Sequence, residues 1–186
     1  MTVTTSLYAR IMRSSWSRLA EPLRDMHGSH AAMHARGRMQ IEHGVHPFAR
    51  LLAWMLRLPR PSVACDTRLI VTALGDEERW ERTFNDRRIQ TRQYICDDTL
   101  AERFGVLEFR FRLEASDGSL VYVQRDAALL CLPVRVRIPM VWAPHIEARE
   151  DPAGPRRIQV GVRVALPGVG LLIAYSGLVE IEEPQP

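Results

Sequence analysis

Arg82 stands between Trp80 and Phe84 in the run Arg79-Trp80-Glu81-Arg82-Thr83-Phe84, and strand alternation places these three on one face. A guanidinium among aromatic rings is partly desolvated. Cation–π contact returns only about 0.5–2 kcal/mol, so such an arginine also needs an acidic partner or a ligand. Arg125 is a second candidate, on the return strand of a hairpin. Gln93 and Glu102 are lesser ones, because the pattern leaves their facing open. With Trp80, these residues read as the polar part of a mostly apolar ligand pocket in which Arg82 and Arg125 orient an anionic head group. In the alternative, both arginines pair with carboxylates such as Glu102 or Asp126 and simply stitch a sheet.

Other chemistry is thinly represented. His27, His30, His34, His43 and His46 crowd one stretch, but no cysteine or carboxylate pattern completes a ligand set, and no metal is expected. Cys65, Cys96 and Cys131 are too few and too widely spaced for a disulfide framework or a zinc signature, which fits a reducing cytoplasm. The glycine-rich nucleotide loops, the zinc-protease helix motif and the serine-hydrolase elbow are absent, so no cofactor is expected and no catalytic residue is assigned. An enzyme acting on a small carboxylate substrate is the runner-up, with Glu102, Asp126 and His145 as imaginable acids or bases.

The elements that must position these groups are mostly strands. In Val106 to Leu130, Leu107, Phe109, Phe111 and Leu113 alternate with Glu108, Arg110, Arg112 and Glu114, as in a half-buried strand. Ser116-Asp117-Gly118 turns the chain into a second strand. A three-residue turn pairs Ala115 with Ser119 and brings Arg125 inward. A two-residue Asp-Gly turn instead puts Tyr122, Gln124 and Asp126 on the apolar side. The first register buries fewer polar groups and is preferred.

Ser6 caps a short helix, and Trp16 to Met26 carries helical spacing with a break at Pro22. The expected organisation is one domain over 1–186. It comprises a helical segment over 1–30, a first strand over 31–45, a covering helix over 46–58 and an antiparallel sheet over 62–182. Gly37 within the first strand marks a bulge or a close approach of another backbone. The covering helix has a wide apolar stripe from Phe48, Leu51, Leu52, Met55 and Leu58. Arg50, Trp54 and Arg57 share another face, read as a solvated flank with a half-buried tryptophan or as a protein-docking surface. Leu132 to Pro144, rich in proline, reads as a crossover loop, and the tail from Glu182 as loose. The class is α+β: a strongly curved, mostly antiparallel sheet of about eight or nine strands, a partial barrel with helices packed on it.

Composition narrows the function. A net charge of +3 comes from 25 basic residues, all arginine, against 22 acidic ones. The signs alternate along strands, which argues against nucleic acid. No apolar run approaches the ~20 residues of a membrane helix, and no signal peptide is apparent, so no membrane insertion is expected.

Leu7-Tyr8-Ala9-Arg10, Arg79 to Phe84, Glu102-Arg103-Phe104-Gly105, Leu132-Pro133 and the closing run Leu166 to Glu180 resemble the domain of unknown function 4166 family. Members occur alone or C-terminal to Rossmann-type dehydrogenase or epimerase-like domains. The resemblance implies a companion domain that binds a substrate or docks to a Rossmann-type oxidoreductase partner, and the leading reading of the whole sequence is a non-catalytic accessory domain holding a small apolar or amphipathic ligand. It transfers no catalytic residue.

Overall fold

The computed structural model describes residues 6–28, 30–131 and 134–183. Its strands are β1 (Ala32–His43), β2 (Ser62–Leu74), β3 (Glu77–Phe84), β4 (Arg87–Cys96), β5 (Thr99–Phe104), β6 (Leu107–Ser116), β7 (Ser119–Cys131), β8 (Val134–Arg137), β9 (His145–Pro152), β10 (Arg157–Leu166) and β11 (Gly170–Ile181). They form one antiparallel sheet in the order β6-β5-β4-β3-β2-β1-β11-β10-β9-β7-β8, and β6 pairs with β7 as well. Ten strands therefore close into a barrel, with β8 an extra strand on β7. This is more closed than a partial barrel. Accumulated twist brings the ends of the ten-stranded run together, and closure removes the edges of those strands while β8 keeps an outer edge.

Two glycines make the seam between the first and last strands tight. A Cβ on Gly37 would lie 2.1 Å from the Leu178 carbonyl oxygen, and one on Gly177 would lie 2.0 Å from that of Arg38. Gly37 marks a close backbone approach, one of its two expected meanings.

Short helices close one end. In α1 (Leu7–Met12) the Ser6 hydroxyl accepts from the Ala9 N–H at 3.1 Å, so the cap forms as expected. A 3-10 segment (Arg13–Arg18) leads to α2 (Glu21–Met26), whose first turn accommodates Pro22. This segment is tied to three hairpin turns. Arg10 pairs with Asp76 at 3.0 Å, Arg13 with Asp98 at 2.6 Å, and the Ala20 N–H donates to the Gly118 carbonyl at 2.9 Å. Tyr8, Leu19, Leu23 and Met26 descend into the barrel core. At the other end, α3 (Pro47–Met55) packs through Ala49 and Ala53.

The β6–β7 hairpin departs from the preferred register. Ser116 pairs with Ser119 across a two-residue turn, with Asp117 at φ 52° and Gly118 at φ 81°. Both turn residues need positive φ, and an Asp-Gly pair supplies it. Tyr122 consequently lies opposite Leu113, on the inner face. The register then shifts between Arg110 and Phe111, which pair with Asp126 and Gln124. Arg125 is the extra residue of that bulge and is exposed on the outside, contrary to the inward position expected. The bulge also resets the phase, so Ala127 faces Phe109 again and Asp126 turns outward.

At the same point β7 exchanges partners. Its first half pairs with β9 and its second half with β8. The Gln124 amide spans the parting strands, donating to the Pro144 carbonyl at 2.9 Å and accepting from the Ile146 N–H at 2.7 Å. β8 falls where a crossover loop was expected. The strand is held because Arg135 and Arg137 both reach Asp126, at 2.7 and 2.9 Å, and Arg135 also reaches the buried Glu108 at 2.8 Å. Leu132, Pro133 and the tail from 184 lie outside the described residues.

Gly37→Ala is expected to destabilise the protein by about 1–3 kcal/mol or more, because the clash is with backbone. Gly161→Ala on β10, where a Cβ meets nothing within 4 Å, should leave the urea midpoint nearly unchanged. Equal effects at both sites would contradict the seam geometry.

Candidate binding cavity

The barrel encloses a cavity of about 440 Å³, within the range of small-molecule sites. Inward positions of the strands line it because side chains alternate between the barrel's two faces. Its upper part is apolar: Leu52, Leu56 and Leu58 come from α3 and the residues after it, and Ile138, Trp142 and Pro144 from the β8–β9 connection. Its lower wall and floor are polar.

Trp80, Arg82 and Phe84 share the inner face of β3, as alternation predicts. The Arg82 guanidinium carbon sits 4.9 Å from the Trp80 ring centroid. Arg82 Nη1 donates to Thr91 Oγ1 at 3.1 Å and to Glu102 Oε1 at 3.4 Å. Burial is the largest single influence and works against the charge, but the Glu102 carboxylate together with Tyr175, Tyr8 and Tyr122 outweighs it and holds the guanidinium proton more firmly than usual. The remaining 19% exposure of the Arg82 side chain belongs to a residue of the cavity lining.

A second set of polar groups joins the floor to the helical plug. The Glu150 carboxylate binds His27 Nε2 at 2.6 Å through one oxygen and accepts from the Tyr122 hydroxyl at 2.9 Å through the other. Tyr8 donates to Gln93 Oε1 at 2.8 Å, and its hydroxyl lies 3.3 Å from that of Tyr122. The His27 ring packs against two aromatics, with its centroid 4.0 Å from Tyr8 and 5.5 Å from Trp80. Burial alone would raise the Glu150 carboxyl. The His27 ring, the Tyr122 hydrogen bond and the Arg82 charge together hold it below the usual carboxylate range. Burial, followed by the Glu150 charge, pushes the Tyr8 and Tyr122 hydroxyls well above the ordinary phenol range.

Of the five residues expected in a ligand pocket, Trp80, Arg82, Gln93 and Glu102 line this cavity. Arg125 does not. Asp126 is bound by arginines on the outer wall, and His145 is outside the cavity, beside Glu147 at 3.3 Å. The histidines do not gather. His30 reaches the Asp25 carbonyl, His43 the Pro59 carbonyl, and His46 caps α3 through the Phe48 N–H. Among the described residues no group of three potential metal ligands occurs. Arg50, Trp54 and Arg57 are exposed, and Trp54 is 77% accessible instead of half-buried.

Glu150, His27, Tyr8 and Tyr122 were not singled out from the sequence as a site. Tyr122 was accessible to that reasoning through the two-residue turn. The pairing of His27 with Glu150 spans 123 positions, and no local pattern announces it.

Residues 19–179 match the family described as "Domain of unknown function (DUF4166)". The chain belongs to this family. No curated protein and no solved structure matches the chain. Inside this DUF4166 domain, the strings that carry the resemblance coincide with the cavity: Trp80, Arg82 and Phe84 from one, and Glu102 and Phe104 from another, line it.

Glu150 has a depressed carboxyl in the folded state. Its contribution to stability is therefore present above the unfolded carboxylate range and lost as pH falls through the lowered folded value. The stability gap between the wild type and Glu150→Gln should be widest near neutral pH and shrink on acidification. Urea titrations from about pH 7 to about pH 3 measure it. A gap independent of pH would contradict an ionised Glu150.

Proposed function

We propose that this domain binds a small amphipathic molecule, with its apolar part toward α3 and an uncharged polar end on the floor. The cavity's charge balance carries the reading. Two arginines belong to the lining: Arg82 is already paired with Glu102 and lies in the field of Glu150, and Arg149 is paired with Asp151 at 2.7 Å. A ligand carboxylate would meet two fixed carboxylates with no uncommitted cation, and its desolvation would go uncompensated. A hydroxyl or carbonyl oxygen is better served. Among the described residues Arg82 uses only Nη1, on Thr91 and Glu102, and Gln93 uses its amide oxygen on Tyr8. The other nitrogens of both side chains are donors, suited to a neutral acceptor. The anionic head group expected from the sequence gives way to a neutral one for this reason. The Arg82–Glu102 pairing held as the alternative is present, and it shapes a polar floor beside open space instead of filling the interior.

Dodecanol and dodecanoate, titrated by calorimetry or by Trp80 fluorescence, test the reading. The alcohol should bind more tightly at neutral pH. Glu102→Gln should shift the preference toward the carboxylate by about tenfold or more, since it frees a partly desolvated guanidinium. Ala148→Trp, which fills the cavity, should abolish both. Failure of dodecanol to bind, tighter binding of dodecanoate than of dodecanol by the wild type, or dodecanol binding unchanged by Ala148→Trp would overturn the proposal.

A further inference from the structure

The barrel's two ends differ in what they show to solvent. Turns at the plugged end carry Asp76, Asp97, Asp98 and Asp117. At the open end the large exposed apolar residues collect. Val45, Phe48, Leu51, Trp54 and Met55 surround α3, Met140, Val141 and Trp142 occupy the β8–β9 connection, and Val63, Val106, Leu129, Val134 and Val136 lie nearby. Among the described residues only Leu74 and Leu178 of this exposed class lie elsewhere. Monomeric proteins rarely expose contiguous apolar surface without a use for it.

The pattern is a collar, not a groove. Both segments contribute to the cavity lining, Leu52, Leu56 and Leu58 from one and Ile138 and Pro144 from the other, while Trp142 borders the cavity and stays exposed at its mouth. Their neighbours point outward around the opening. Trp54 and Trp142, 77% and 73% exposed, stand on these two segments. The charge of the two segments is one-sided, although the β3–β4 turn at the same end carries Asp86. From His43 to Cys65 there is no acidic residue, while Arg50, Arg57 and Arg60 are present and exposed; from Ala127 to Ile146 there is again none. No ion pair engages Arg50, Arg57 or Arg60 among the described residues.

We infer that the open end docks on the surface of an anionic lipid bilayer, setting the cavity mouth against the headgroup region. Tryptophan rings favour that depth, protruding aliphatic side chains reach the acyl boundary, and unpaired arginines meet lipid phosphates. This is interfacial contact and needs no spanning helix; none of the described helices is long and apolar enough to cross a membrane. Docking stands independently of what fills the cavity.

Co-sedimentation of the whole chain with phosphatidylglycerol/phosphatidylcholine vesicles tests the inference. Binding is expected to the anionic vesicles, not to pure phosphatidylcholine, and to weaken in about 0.5 M salt. Each arginine near an anionic surface contributes about fivefold, so Arg50→Glu with Arg57→Glu and Arg60→Glu should weaken binding by about a hundredfold or more. Trp54→Ser with Trp142→Ser should weaken it by about tenfold or more while circular dichroism stays unchanged. Arg163→Glu, on the outer wall, should bind like the wild type. The inference fails if the folded protein ignores anionic vesicles. It also fails if the wall substitution weakens binding as much as the collar substitutions do. Self-association through Trp54 and Trp142 without vesicle binding would assign the collar to a second copy and overturn it as well.

Discussion

The contact between His27 and Glu150 is the constraint on which the lower half of the molecule depends. A carboxylate inside an apolar barrel is tolerated only when its oxygens are engaged. One Glu150 oxygen takes the imidazole at 2.6 Å and the other takes the Tyr122 hydroxyl. That requirement fixes α2 against β9, turns Tyr122 inward and brings Tyr8 over Gln93. It also adds a negative field to the site of Arg82, and so sets the floor's preference for neutral oxygen over a carboxylate. Replacing the pair by apolar groups would remove the plug's buried ionic tie and leave it to Tyr8–Gln93 and the turn contacts at the rim.

The outer wall repeats this chemistry with arginines in place of the imidazole. Glu108 and Asp126 lie beneath Arg110, Arg135 and Arg137, and Tyr94 donates to Glu108. Burial would raise both carboxyls, but the arginines and Tyr94 hold them below their ordinary range. The Tyr94 hydroxyl is pushed up to about 12 by burial and then by Glu108. This cluster occupies the place where β7 leaves β9 for β8. The ladder is irregular there, and side-chain ion pairs do what backbone pairing does elsewhere.

Much of this was legible in the residues. Alternation located the strands, placed Trp80, Arg82 and Phe84 on one face, and left Gly37 as either a bulge or a close backbone contact. The hairpin register was not legible, for a definable reason. Counting buried polar groups for each register assumed an unbroken ladder, whereas a bulge at Arg125 lets one strand use one phase below and the other above. Tyr122 and Ala127 both face inward, and Asp126 does not. β8 was obscured because it has only four residues between prolines, and its hold on the sheet comes from Asp126, a residue outside its own sequence. The floor was hidden because its parts come from a helix end, a hairpin and a late strand. Local periodicity says nothing about which of these meet.

The glycine seam between β1 and β11 bears on how the barrel comes into being. It joins Ala35 to Ile181, the beginning of the sheet to its end. Every other pairing can form first and still leave an open, curved sheet with two free edges. Pairing across such a separation is slow, because the loop must close before any contact rewards it. During synthesis the inner apolar face stays open to water until the last strand emerges, and no enclosed site exists before then. The cavity is thus the final product of folding, and its exposed precursor is the state in which this chain is most prone to aggregate.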